Sequence, residues 1–160
     1  MIEEHIIRQH LKMDEGDIED DLLAQYTASA VRTCETYCNR VFYADEAARE
    51  AGRDKAWDDL LQARVARDTA RDLAEDDCRL LGIIEDTYNS AVADCLSRTH
   101  GVIVDDTIRA AILMTIGHFY RNRQNVVVGA SVAQIPMDAE RILQPYLWIG
   151  DIAGDSYDYR

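Results

Sequence analysis

The stretch DTIRAAILMTIGHFYRNR, residues 106–123, decides the fold of this chain. Ile108, Ala111, Ile112, Leu113, Met114, Ile116, Phe119 and Tyr120 spread apolar side chains over more than half of a helical circumference. A helix from Thr107 to about Arg123 must therefore be surrounded by other elements. Asp105, Asp106 and Thr107 supply the capping groups that a helix start wants, and Arg121 and Arg123 put cations at its negative end. His118, between Gly117 and Phe119, reads as a hydrogen-bonded core or interface histidine.

Working outward, nothing before Pro136 contains a proline, so almost the whole chain is free to be helical. Ile2, Ile6, Ile7 and Leu11 share one side of a short helix that ends at the acidic, glycine-containing turn Asp14-Glu15-Gly16-Asp17. A long helix follows, with acids Glu19, Asp20 and Asp21 in its first turn. Its apolar line is Ile18, Leu22, Tyr26, Ala30, Cys34 and Cys38, widened by Leu23, Val31, Tyr37 and Val41.

From Ala44 to His100 the composition changes to Ala, Asp and Arg. The apolar residues thin to a narrow stripe of Trp57, Leu60, Leu61, Val65, Leu73, Leu80, Leu81, Ile84, Tyr88, Val92 and Cys95. Such a stripe reads as two helices zipped into a hairpin, or as one long exposed helix that pairs with neighbours. The favoured turn is Glu75-Asp76-Asp77, with Gly82 as the competing break. Beyond the buried helix, Val126-Val127-Val128-Gly129 and Ser131 to Ile135 suggest a short β-hairpin or extended loop. A short helix from Asp138 to about Leu147 follows, then an aromatic tail. The expectation is an all-α helical bundle forming one domain over 1–160, with a helical insertion at about 44–100 and a C-terminal arm at about 148–160.

Composition excludes several function classes. The formal charge is −13, from 30 acidic against 17 basic side chains. Tight wrapping of nucleic acid needs Lys and Arg against phosphates, so DNA can pass this protein but should not stick to it. No apolar run reaches the roughly 20 residues of a membrane span. The opening MIEEHIIRQH has acids where a signal peptide carries basic residues, which points to a cytoplasmic setting and to reduced thiols at Cys34, Cys38, Cys78 and Cys95. Cys34 and Cys38 share a helix face, and burial as small hydrophobes is the reading favoured over a metal or redox pair. The four histidines have no zinc spacing, and no phosphate loop or nucleophile elbow is present, so neither enzyme activity nor a cofactor or metal is expected. Acidic pairs such as Asp58-Asp59 and Asp76-Asp77 fit capping and solubility better than metal-assisted catalysis.

Two blocks of residues carry a resemblance. The first is His10-Leu11-Lys12-Met13-Asp14, then Asp20-Asp21-Leu22-Leu23, Tyr26, Ala28, Ala30 and Glu35-Thr36-Tyr37 with Arg40. The second is Ile108-Arg109-Ala110-Ala111-Ile112-Leu113, His118-Phe119-Tyr120-Arg121-Asn122-Arg123, Val126-Val127-Val128-Gly129, Ile135-Pro136 and Leu143-Gln144-Pro145-Tyr146. In this order and spacing the chain resembles head-tail connector proteins of tailed bacteriophages, the portal-adaptor or head-completion type. The match covers about Ile6 to Tyr43 and Asp105 to Trp148. Where such proteins have a short link, this chain has the insertion.

The resemblance implies a structural virion protein at the head-tail junction, assembled in the host cytoplasm. It would form a homo-oligomeric ring of twelve subunits that docks on the portal, offers a platform to the next neck or tail-completion protein, and lets DNA pass through its channel without specific binding. It also implies that the tail, with Trp148, Ile149, Ile152, Tyr157 and Tyr159, is the portal-binding arm, and that Arg121 and Arg123, beside His118 and Tyr120, lie at the subunit interface. An acidic helical regulatory or DNA-mimic protein that binds a basic partner is the alternative reading.

Overall fold

A computed structural model describes residues 2–13, 20–74, 77–122 and 135–150. The protein is all-α: six helices account for most of the described residues, with one two-stranded sheet of minimal length. In chain order these are α1 (Glu4–Leu11), α2 (Asp20–Cys38), β1 (Phe42–Tyr43), α3 (Glu46–Ala74), α4 (Cys78–Thr99), β2 (Val102–Ile103), α5 (Asp106–Arg121) and α6 (Met137–Leu143), continued by a 3-10 turn at Gln144–Tyr146. The β-hairpin or extended loop expected between Val126 and Ile135 lies outside the described residues, apart from Ile135, which is buried.

Helix α5 is the axis of the bundle and packs against α1, α2 and α6. Ile108, Ile112 and Ile116 recur every fourth residue and are fully buried together with Ala111. Facing them on α2 are Leu23, Ala30, Cys34 and Cys38, all buried. The deepest line of α2 therefore runs through Leu23, while Leu22 and Tyr26 lie at its edge. Ala30 and Cys34 are small, and that lets the two helix axes come close. Thr115, a polar side chain buried in the core, donates to the Ala111 carbonyl at 2.9 Å, so its hydroxyl is satisfied there. Burying each of the three isoleucines contributes about 1.5–3 kcal/mol of transfer free energy.

Helix α2 ends where Asn39 takes the left-handed conformation (φ 53°) and the Arg40 N–H reaches back to the Glu35 carbonyl at 3.1 Å. The Glu35 side chain then accepts from the Phe42 N–H at 2.9 Å and aims the chain into β1. β1 pairs in parallel with β2, Phe42 opposite Val102 and Tyr43 opposite Ile103. This pairing closes the base of the α3–α4 hairpin, so its entry and exit lie side by side on the bundle.

The turn between α3 and α4 falls at the acidic cluster, where the Asp77 carboxylate caps α4 by accepting from the N–H groups of Arg79 at 2.9 Å and Leu80 at 3.3 Å. Gly82 lies within α4, with open space around it. The hairpin corrects the expected stripe. Trp57, Leu61, Val65, Leu73 and Leu80 point to solvent, and the side of α3 turned to α4 carries Ala56, Ala63, Ala70 and Ala74, against Leu81, Ile84, Tyr88 and Cys95. Alanines seven residues apart present a flat edge that allows close helix approach, so Trp57, Leu61 and Val65 are left outside, while Leu60, between Ala56 and Ala63, stays half-buried. Arg71 pairs with Glu85 at 3.0 Å, Arg98 with Asp59 at 2.8 Å, and the Arg67 guanidinium lies 4.2 Å over the Tyr88 ring.

The hairpin is keyed to the bundle by Tyr43. Its buried ring lies between Gly52 of α3 and Gly101, and its hydroxyl donates to the Arg98 carbonyl at 3.2 Å. A Cβ on Gly52 would stand 2.3 Å from the Tyr43 oxygen, and one on Gly101 would stand 2.3 Å from its ring. Gly52→Ala is therefore expected to lower stability by about 1–3 kcal/mol through overpacking. Gly82→Ala, in open space on a helix, should raise it by about 0.5–1 kcal/mol. Urea denaturation of the two variants checks this, and a shift of the same sign in both would contradict the role given to Tyr43.

Candidate assembly surfaces

The residues singled out by sequence fall at the two ends of α5. At its start the Asp105 carboxylate caps the helix by accepting from the Ile108 N–H at 2.8 Å, and the Tyr146 hydroxyl donates to the same carboxylate. Burial alone would raise the Asp105 pKa, but the bonds from Tyr146 and Ile108 outweigh it and hold the carboxyl below its ordinary value. At the other end His118 and Arg121 are exposed and Tyr120 is half-buried against the core. His118 is thus not a core histidine. It falls, with Met114 and Arg121, on the arc of α5 turned away from the isoleucine line, and its backbone carbonyl accepts from the Asn122 amide at 2.9 Å. Arg123 lies outside the described residues.

The C-terminal segment is strapped across the other end. The Trp148 N–H donates to the Cys38 carbonyl at 2.9 Å, and its indole stacks on His100 with centroids 4.5 Å apart and planes 20° from parallel. Trp148 is therefore half-buried and engaged within its own chain, joining the end of α2 to the foot of the hairpin. Ile149, its neighbour, is 86% exposed. Ile152, Tyr157 and Tyr159 lie outside the described residues. The length of α5, about 24 Å for 16 residues, separates this strap from His118 and Arg121, so the two sets do not form one site.

Cys34 and Cys38 are buried free thiols. Burial raises both pKa values, that of Cys38 to about 12, so at neutral pH they are protonated small hydrophobes. The Cys34 sulfur rests 3.6 Å from the Thr115 hydroxyl. Among the described residues no three His, Cys, Asp or Glu side chains converge as a metal site, and no helix is long and apolar enough to cross a membrane.

Two surfaces were missed by the sequence reading. The first is an apolar cleft of about 550 Å³ between α1 and α2, floored by Ile7 and Leu23 and walled by Ala24, Thr27, Ala28 and Val31. Arg8 braces one end of it, bonded to Glu4 at 2.7 Å and to Asp20. Its signal was present in α2 as small residues beside the main apolar line. The second is the outer ridge of α3, where Trp57 (61% exposed), Leu61 and Val65 (67%) stand four residues apart. No protein-family model, no curated protein and no solved structure gives a significant match to this chain.

Asp105→Ala should lower stability at neutral pH by about 1–2 kcal/mol, the cost of a lost cap, whereas Asp105→Asn should retain most of the cap. Because the folded carboxyl is held low, its charged-state contribution is fully present above the unfolded carboxylate pKa of about 3.9 and fades as the pH drops through the folded value. Urea midpoints of wild type and Asp105→Ala should therefore draw together in acid; a constant gap down to pH 2 or so would contradict the assignment.

Proposed function

We propose that this chain is a structural subunit of a ring-shaped connector between the portal of a tailed bacteriophage and its neck or tail. The observation that best supports this is the way the two stretches bearing the connector resemblance come together. α1 and α2 from one stretch and α5 and α6 from the other build a single bundle around α5. The unmatched residues between them form the α3–α4 hairpin, which leaves and re-enters the bundle at the β1–β2 pairing. The connector-like sequence thus makes a continuous core, and the insertion is an addition to its outside.

A second observation is the number of large apolar side chains exposed on the hairpin, Trp57, Leu61 and Val65 in one row of α3 and Leu73 (80% exposed) and Ile83 elsewhere on it. The row on α3 is the part of this that supports a partner surface, since grouped exposed apolar side chains favour one. The acidic-mimic reading gains less support. Glu46, Asp59, Asp68, Glu85 and Asp94 of the hairpin are each paired with an arginine, which breaks up the uniform acidic face that competition with nucleic acid would need.

On the connector reading, the excess of carboxylates suits a channel wall that repels the phosphate backbone and lets DNA slide. Native mass measurement of the protein, alone and mixed with portal assemblies, tests the proposal: a ring should form on a cognate portal. A chain that never joins a portal removes the connector reading, and a ring whose lumen is lined by Lys and Arg removes the account of the acidic balance.

A further inference from the structure

Helix α3 turns its alanine edge to α4 and leaves the opposite side to solvent. At about 100° per residue, Trp57, Leu61 and Val65 fall within one arc of that outer side, along about 12 Å of the helix axis. The same arc holds the carboxylates of Glu50, Asp54, Asp58, Asp68 and Asp72, placed before, beside and beyond the apolar row over about 33 Å. No cation falls in it. The basic residues of α3 lie on its flanks or turn toward α4, as Arg71 does to Glu85 and Arg67 to Tyr88. Asp68 is engaged by its neighbour Arg67 at 2.7 Å, and the other four carboxylates make no ion pair among the described residues.

We propose that this face docks a different protein, through an amphipathic basic segment whose apolar middle covers Trp57, Leu61 and Val65 and whose Lys and Arg meet the surrounding carboxylates. The apolar row, with an indole 61% exposed, is the anchor. Charge decides the occupant. An arc of carboxylates opposes nucleic acid and an anionic lipid surface alike. It opposes a second copy too, because that copy carries a net charge of −13 and its own exposed apolar places, this row and the α1–α2 cleft, are edged by carboxylates. Nor does the arc imitate a continuous run of phosphates, since its middle is apolar. Lys and Arg suit such a face, as their aliphatic stems lie on apolar surface while their charged heads reach beyond it. The inference rests on this face alone and stands apart from the connector reading, whose ring contacts would lie elsewhere on the chain.

The probe is a synthetic peptide of about 20 residues, about 30 Å long as a helix, with leucines in its middle and Lys and Arg toward both ends. Its counterpart carries Glu at the basic positions. Anisotropy of the labelled peptides with the full-length chain is expected to show binding of the basic peptide alone. Affinity should fall at least about tenfold for Trp57→Ser with Leu61→Ser. It should fall several-fold, with a weaker dependence on salt, for Asp54→Asn with Asp58→Asn. Asp86→Asn with Asp138→Asn removes the same charge from α4 and α6 and should bind like wild type. All these side chains are exposed, so the fold should persist by circular dichroism; if the apolar pair fails to fold, the two carboxylate variants still decide. Equal binding of both peptides, wild-type affinity in either variant of the face, or an equal loss in the Asp86 and Asp138 variant would overturn the proposal. So would duplex DNA or phosphatidylglycerol vesicles binding wild type but not the Trp57 and Leu61 variant, or a fall in that variant's self-associated mass, since each names another occupant. Assembly on a portal is measured separately, and neither its presence nor its absence alters these outcomes.

Discussion

The structure depends on the close approach of α2 and α5, two helices far apart in sequence that meet through small residues on one side and isoleucines on the other. Ala30, Cys34 and Cys38 leave room for Ile108, Ile112 and Ile116, and the single polar group at the seam, Thr115, satisfies itself within its own helix. Once these helices are in contact, α1 and α6 have one apolar surface to cover. The ends of α2 and α5 are then so placed that β1 and β2 pair in parallel, and the Asp105 cap and the Trp148 strap meet at the same end of the bundle.

That arrangement explains how the chain accommodates a long excursion. The entropic cost of closing a loop rises only slowly with its length, so residues between two adjacent anchor points are added at little expense if they fold on themselves. The hairpin does so with an alanine edge, three interhelical Arg contacts and a capped turn. Its attachment is a separate problem, met by Tyr43. An aromatic ring between two glycines fills the angle between hairpin and bundle, a geometry that tolerates no β-carbon at either contact.

An alanine edge buries little area per residue and pushes the large apolar side chains of α3 outward, which is why this chain has an exposed ridge. The cleft between α1 and α2 is a second place where apolar side chains are open among the described residues. The intrachain roles of Trp148 and the exposure of His118 bear on where contacts should be sought: Trp148 is engaged by Cys38 and His100, and Met114, His118 and Arg121 are exposed on the outward arc of α5.

The sequence by itself determined the elements. Periodicity marked α5 as the buried axis, absence of proline before Pro136 left nearly all of that stretch free to be helical, and acid density placed the α3–α4 turn near Glu75-Asp76-Asp77, because each of these is a local property of backbone and side-chain spacing. Only the tertiary structure decided which residues of an apolar set go inside. His118 reads as a core or interface histidine from the apolarity of its helix, and the packing removes the core option because the isoleucine line covers another arc. Trp57, Leu61 and Val65 read as a hairpin seam, yet lie outside it because Ala56, Ala63 and Ala70 allow a closer approach. The parallel pairing of Phe42 with Val102, and the seat of Tyr43 between Gly52 and Gly101, could not be read either. They join residues separated by the whole insertion, and only the packing of α2 on α5 brings those residues within reach.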